Sequence, residues 1–261
     1  MLYFSCNDFL VIQKSLNEDL ETLSNYCYEN ELLLNLKKTK TEAMLFGTAK
    51  RLDMNGRCLE LFYRYERIIN TEKYKYLGNI VDPSLVLRDN FENKYKKATC
   101  RLRLFTKIRM YLSDSAAVKV YTTMIVPLLT YCSILQLKLT PSQCNQLTSI
   151  HQRAIRIIHS PSTVHITSII NVIHKNACKT VRKCIDKNIC ENFHKYFIIN
   201  NHSKCTRNQS ALLKLPKVKL EFAKRSFYYA GAKLYNDLPR DIRKEDSYTN
   251  YCKYLDKHFS D

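Results

Sequence analysis

Only 4 of the 261 residues are glycine, and this shortage restricts the folds that the chain can adopt. Glycine supplies the positive φ angles of tight hairpin turns, so a sandwich or barrel built from many hairpins is disfavoured. The phosphate-binding loops GxGxxG and GxxxxGK[ST] are excluded as well, because their spacing does not occur. Hydrophobic residues at 45% and charged residues at 25% are ordinary for a globular protein, so wholesale disorder is not expected.

The first 83 residues mix helical and strand patterns. Asp8 is a suitable N-cap for a helix over residues 8–29, whose apolar side chains share one stripe. Short apolar or alternating runs predict strands over residues 1–5, 32–36 and 43–46, and between residues 59 and 81. Gly78 falls within the last of these strands, where glycine usually marks a bulge or a close backbone approach.

After Pro83 the pattern becomes helical. Apolar residues spaced for one buried helical stripe follow: Phe91, Tyr95, Ala98, Leu102, Phe105 and Leu112. Lys96, Arg103 and Lys107 fall on the opposite face. Lys94, Lys97 and Arg101 flank the stripe. The expected fold class is α+β, with a short mixed α/β part followed by a mainly helical part.

Further helices are predicted along the rest of the chain. Asp114 is a suitable N-cap for one that runs to residue 137, with a kink or a fresh start at Pro127. The next two cover residues 140–159 and 163–197, the second of them with a break allowed. A last pair is split at Leu238-Pro239, after a polar, basic loop.

Positive charge is concentrated in the last two-thirds of the chain. Residues 1–86 contain 11 Lys and Arg against 12 Asp and Glu, whereas residues 87–261 contain 31 against 12. A basic part joined to a neutral part favours binding to a polyanion such as nucleic acid. A basic surface that only aids solubility is the alternative.

The 11 cysteines are scattered and odd in number, and no secretory signal precedes the first helix. A reducing, intracellular compartment is therefore expected, either nuclear or cytoplasmic. The longest apolar stretch, residues 124–137, is interrupted and too short to span a bilayer, so no membrane partner is expected. Cys178, Cys184 and Cys190 stand six residues apart, which turns successive thiols by about 240° on a helix and disfavours a zinc site.

Two motifs in the first part have both a functional and a structural interpretation. Asn35-x-x-Lys38-Thr39 lies between two predicted strands, where a lysine can reach a phosphate as a mobile point charge. A solvated basic turn explains the same residues. Tyr76-Leu77-Gly78 indicates a close backbone approach, either to another chain or to a nucleic-acid backbone.

Taken in order, motifs along nearly the whole chain resemble the end of the palm and the thumb of reverse transcriptases from non-LTR retrotransposons. The matching segments are Leu2-Tyr3-Phe4, Asn35-x-x-Lys38-Thr39, Tyr76-Leu77-Gly78, Lys97-Ala98, Lys107-Ile108-Arg109, Tyr131-Cys132-Ser133, Gln152-Arg153-Ala154, Thr206-Arg207 and Leu238-Pro239. Each segment is short, and their common order carries the resemblance. Tyr26, Gln136 and Tyr235 stand where this family usually has tryptophan.

The resemblance implies binding without catalysis. Such polymerases hold two Mg²⁺ ions on carboxylates, including an Asp-Asp pair just before the strand that residues 2–5 match. No Asp-Asp pair occurs in the sequence. We therefore expect no catalytic residues, no metal ligands, no cofactor in this chain and no polymerase activity from it alone.

The resemblance also assigns nucleic-acid contacts to three groups of residues. Asn35, Lys38 and Thr39 match the region near the incoming nucleotide. Tyr76, Leu77 and Gly78 match the hairpin that steadies the primer end. The thumb, which follows the duplex backbone, is matched by Lys96, Arg101, Arg103, Lys107 and Arg109.

The expected organisation is a palm remnant over residues 1–83, a helical thumb over 84–160 and a helical extension over 161–261. The expected partners are RNA and DNA, bound with little regard to sequence, and the upstream part of the polymerase. Two alternatives remain open. One is a non-enzymatic nucleic-acid-binding protein, and the other is a decayed reading frame with no role.

Overall fold

A computed structural model describes residues 1–36, 40–54, 58–158, 166–186, 191–200 and 211–260. The helices in these ranges are α1 Phe9–Glu29, α2 Ala49–Met54, α3 Arg88–Ile108, α4 Asp114–Val120, α5 Val126–Thr130, α6 Pro141–Ile158, α7 Ile169–Ile185, α8 Glu191–His194, α9 Glu221–Lys224, α10 Phe227–Asn236, α11 Arg240–Arg243 and α12 Tyr248–His258. The strands are β1 Glu42–Ala43, β2 Phe62–Tyr63, β3 Glu66–Arg67, β4 Ile69–Asn70, β5 Tyr74–Tyr76 and β6 Asn79–Val81. The α+β class predicted from the sequence is confirmed.

The chain divides into two compact units, Met1–Asn90 and Phe91–Asp261. In the first unit, α1 begins as predicted, with the Asp8 carboxylate accepting a hydrogen bond from the backbone N–H of Leu10. One apolar cluster joins this helix to the short strands, and its buried members are Leu20, Ala43, Leu59, Leu61, Tyr63 and Ile68. The sheets are three separate pairs, β1 with β4 in parallel and β2 with β3 and β5 with β6 antiparallel.

Side-chain amides of α1 complete the backbone hydrogen bonding of the chain that enters β2. Asn17 donates to the carbonyl of Glu60 and accepts from the N–H of Phe62, and Gln13 accepts from the N–H of Glu60. Unpaired N–H and C=O groups at a strand edge invite other chains to pair. The helix therefore covers this edge with amides instead of a further strand.

Several strand predictions are wrong. Residues 1–5 and 32–36 form no strand, and the first of these segments is exposed. Only Glu42–Ala43 is extended and paired in the region predicted as residues 43–46. A strand forms where the backbone hydrogen-bonds to a neighbouring strand. None of the six described strands pairs with residues 1–5 or residues 32–36.

Gly78 lies in a turn and not inside a strand. β5 and β6 form a hairpin in which Tyr76 pairs with Asn79, so Leu77 and Gly78 are its two turn residues. Both have positive φ, 45° and 82°, as a type I′ turn requires. Glycine serves here because it adopts positive φ without steric cost.

Within its described residues, the second unit contains helices and one isolated bridge between Ile199 and Leu213. The stripe predicted for α3 is confirmed, since Phe91, Ala98, Leu102 and Phe105 are buried. α4 begins at Asp114, and its N-cap is Ser113 instead of the predicted Asp114. With α5, this helical segment ends at Thr130 instead of residue 137.

Pro127 changes the path of this helix without ending it. Its ring nitrogen has no hydrogen to donate to the carbonyl four residues earlier. The turn before it, Tyr121–Ile125, widens into a π-helix, and the N–H of Val126 bonds to the carbonyl of Tyr121. The helix resumes as α5, and Cys132 then reverses the chain with a φ of 53°.

Two apolar clusters lie side by side in this unit, and α7 contributes to both. Ile169 and Ile173 belong to the first cluster with α3 and α6, while Cys178, Val181 and Cys184 belong to the second with α10 and α12. α7 therefore joins the two cores into one body. None of the helices within the described ranges is long and apolar enough to cross a lipid bilayer.

Close packing of α10 against α7 depends on Gly231. A Cβ atom there would lie 2.8 Å from the Phe227 ring and 3.1 Å from Val181 Cγ2. Overpacking costs about 1–3 kcal/mol, and alanine recovers about 0.5–1 kcal/mol of helix propensity. We expect Gly231→Ala to lower the thermal unfolding midpoint by about 2–4 °C, a net loss of about 1 kcal/mol.

Gly47→Ala is the matched control, because a Cβ at Gly47 would be 3.7 Å from its nearest neighbours, an ordinary contact. Circular dichroism melts of the two variants test the prediction. A Gly231→Ala protein as stable as the parent would show that the two helices can separate without cost.

Candidate nucleic-acid interface

Burial of one side of α3 exposes a row of cations on the other side. With about 100° between successive residues, Lys96, Arg103 and Lys107 lie opposite the apolar stripe. Lys97 and Arg101 extend the same exposed surface. We call these five residues the α3 basic face.

Acidic residues are scarce around this face. Between Asn90 and Ile108 the only carboxylate is that of Glu92. Across the described ranges, none of the five cations forms an ion pair with a carboxylate. Their charge is therefore open to an external anion.

Arg101 also contacts the segment between α4 and α5. Its guanidinium donates to the carbonyl of Met124 over 2.9 Å. That carbonyl belongs to the π-helix, so the widened turn lies against the edge of the α3 basic face. Arg101 is partly committed to this contact, whereas Lys96, Lys97, Arg103 and Lys107 remain directed at solvent.

Lys94 differs from the other cations of α3, although the sequence pattern places it beside Lys97. Only 6% of the residue is exposed, and Nζ donates to the carbonyl of Tyr131 over 2.7 Å. The ammonium also lies 5.5 Å from the centre of the Tyr131 ring. Burial lowers the pKa of Lys94 to about 8, and the nearby Cys132 partly opposes this shift. Lys94 fixes α3 to the turn after α5 and does not face an external ligand.

Arg109 is also occupied within the protein. It donates to the carbonyls of Leu112 over 2.7 Å, Ile158 over 2.6 Å and Ile157 over 3.2 Å, and it pairs with Asp114. The carbonyls of Ile157 and Ile158 end α6 and have no partner within that helix. Arg109 therefore joins the end of α3 to the end of α6, and the phosphate contact expected from the sequence stays a prediction.

The other predicted contact residues lie in the first unit. Asn35 is exposed, and its carbonyl accepts a hydrogen bond from the Thr41 hydroxyl. Lys38 and Thr39 lie outside the described residues. Tyr76, Leu77 and Gly78 form an exposed hairpin end. The structure thus brings the predicted cations together on one helix and the predicted hairpin residues together on one turn.

Metal ligands are not gathered anywhere in the part of the chain that the structure describes. No group of three or more His, Cys, Asp or Glu side chains is arranged to hold an ion there. Asp8 and Asp82 instead accept hydrogen bonds from nearby backbone N–H groups. These residues do not fit the Mg²⁺ pair of a polymerase.

Two of the cysteines considered for zinc lie in α7. Cys178 and Cys184 are buried in the second core, and His194 bonds through Nδ1 to the carbonyl of Ile185. Cys190, which completes the six-residue series, lies outside the described residues.

The structural task of Arg109 gives a direct prediction. Arg109→Gln leaves the carbonyls that end α6 without their donor, and each unsatisfied buried polar group costs about 1–3 kcal/mol. We expect the thermal unfolding midpoint to fall by at least about 2–4 °C, whereas Lys119→Gln, which removes an exposed charge from α4, leaves it unchanged. An unchanged unfolding midpoint together with weaker nucleic-acid binding would show that Arg109 contacts nucleic acid and is not needed to join the helices.

Comparison with known proteins adds no relative to this picture. No protein-family model matches the chain, and neither the curated proteins nor the solved structures include a significant match.

Proposed function

We propose that this chain binds nucleic acid through the α3 basic face, by contacts to the phosphate backbone that do not depend on base sequence. The observation that supports the proposal is the division of α3 into two faces. Buried apolar residues fix the orientation of the helix, so the opposite cations are held in a row without carboxylate partners. Contacts from such a row of lysine and arginine to phosphates carry no sequence information.

The resemblance described above gives this proposal its setting. In a reverse transcriptase of the non-LTR type, a basic thumb helix follows the duplex behind the active site. We assign the chain that binding role and no step of nucleotidyl transfer, because the Asp-Asp pair that such polymerases use does not occur in its sequence. A nucleic-acid-binding protein without polymerase ancestry would use the α3 basic face in the same way.

Salt dependence of binding tests the proposal. Each phosphate contact on duplex DNA releases condensed counterions and contributes about −0.9 to the slope of log affinity against log salt. The variant Lys96→Gln, Arg103→Gln and Lys107→Gln removes up to three contacts. We expect affinity to fall for every duplex sequence by the same factor, with a slope shallower by up to about 2.7.

A charge-matched variant separates this surface from net charge. Lys233, Lys244 and Lys253 are exposed on other helices of the same unit or beside them. Changing all three to Gln removes the same charge and should leave the slope near that of the parent. If both triple variants change the slope equally, or if neither does, the α3 basic face is only a solvated surface.

A further inference from the structure

The hairpin of β2 and β3 has an unusual turn sequence. Tyr63 pairs with Glu66, so Arg64 and Tyr65 are the two turn residues, with φ of 47° and 68°. A type I′ turn needs both angles positive and strongly favours Asn-Gly. Neither residue here is glycine, and left-handed backbone in other residues costs free energy. The β5–β6 hairpin solves the same problem with Gly78.

Contacts of the Arg64 side chain hold this turn in place. Its Nε donates to the Ser24 hydroxyl over 3.2 Å. Its guanidinium carbon lies 5.6 Å from the centre of the Tyr28 ring and 5.8 Å from that of Tyr63. Within the described ranges no carboxylate pairs with Arg64. A planar cation is therefore held near two aromatic rings at the end of α1.

Tyr65 is the most exposed aromatic residue beside this cation. Its relative exposure is 102%, and that of Tyr28 is 75%. The turn thus exposes the Tyr65 ring to solvent and places the Arg64 guanidinium near the Tyr28 ring. We call Tyr28, Arg64 and Tyr65 the tyrosine–arginine surface.

Local charge shows which part of a nucleic acid this surface suits. Arg67 pairs with Glu60 at 3.8 Å, and Glu66 directly follows Tyr65. Glu29 also directly follows Tyr28, so the surroundings carry no excess of positive charge, unlike the α3 basic face. Aromatic rings and a stacked guanidinium in such surroundings suit the flat, uncharged faces of nucleobases better than phosphates. Duplex DNA hides those faces, and single strands expose them.

We propose that the tyrosine–arginine surface binds unpaired bases of single-stranded nucleic acid by stacking. The inference rests on the proposed function for the class of ligand and adds a second, charge-independent site to it. Stacking on Tyr65 requires no particular base, because every base has a π-face. The site therefore distinguishes single strands from duplexes without reading sequence.

Two oligonucleotides with the same backbone charge isolate stacking from electrostatics. One is oligo-dT, and the other has the same length and carries abasic residues throughout. For the full chain, fluorescence anisotropy should give tighter binding to oligo-dT. Tyr65→Ala should weaken binding to oligo-dT by about tenfold and leave the abasic strand and duplex DNA unaffected. Tyr65→Phe should keep the preference.

Two controls are needed. One tests whether the loss of binding comes from misfolding, and the other tests whether removing any exposed tyrosine has the same effect. Replacing Arg64-Tyr65 by Asn-Gly removes the Arg64 contacts but gives the turn its preferred sequence, which offsets their loss, so this variant should fold like the parent and still lose the preference for oligo-dT. Tyr254→Ala removes an exposed tyrosine from α12 and should change nothing.

The outcomes separate the two proposals. Equal binding of both oligonucleotides by the parent, or an undiminished preference in Tyr65→Ala, overturns the stacking site and leaves backbone binding by α3 standing. The same outcome is expected if Tyr65 contacts a protein partner instead of a nucleobase. If the triple variant of the α3 basic face binds both strands as tightly as the parent does, the proposed function fails instead.

Discussion

Burial of the apolar stripe of α3 is the interaction on which the rest of the second unit depends. Once Ala98, Leu102 and Phe105 pack against the neighbouring helices, the helix cannot rotate. The position of each cation along the helix then determines whether it is exposed or buried. Those opposite the stripe meet solvent, while Lys94 and Arg109 become internal donors that hold α3 to distant backbone carbonyls. One hydrophobic contact surface thus determines both the packing of the core and the location of the charge.

Side-chain amides complete the backbone hydrogen bonding of a chain with few strands. Asn70 bonds both the N–H and the carbonyl of Leu59, and Asn236 does the same for Leu213. Asn90 accepts from the N–H of Ile80 at the edge of β6. Buried backbone groups need partners, and an amide offers a donor and an acceptor in the geometry of a neighbouring strand. Extended segments are therefore stabilised here without large sheets.

Local periodicity predicted the long helices well, because a stripe of apolar residues is recorded in consecutive sequence. The sequence was informative for α1, α3 and α6 and for the exposed cations of α3. It failed where the deciding contact is distant. Lys94 and Lys97 flank the same stripe, and only Tyr131, 37 residues away, buries the first of them. Arg109 meets carbonyls 48 and 49 residues along the chain. The Arg64-Tyr65 turn was missed because it lacks the glycine that signals a hairpin.

Lysine acetylation, followed by mass spectrometry with and without saturating duplex DNA, tests most directly the claim that α3 faces nucleic acid. Lys96, Lys97 and Lys107 should react in the free protein and be protected in the complex, while Lys233 and Lys253 should react equally in both. Lys94 should react little in either state, because it is buried. Equal acetylation of Lys96, Lys97 and Lys107 with and without bound duplex would contradict the claim.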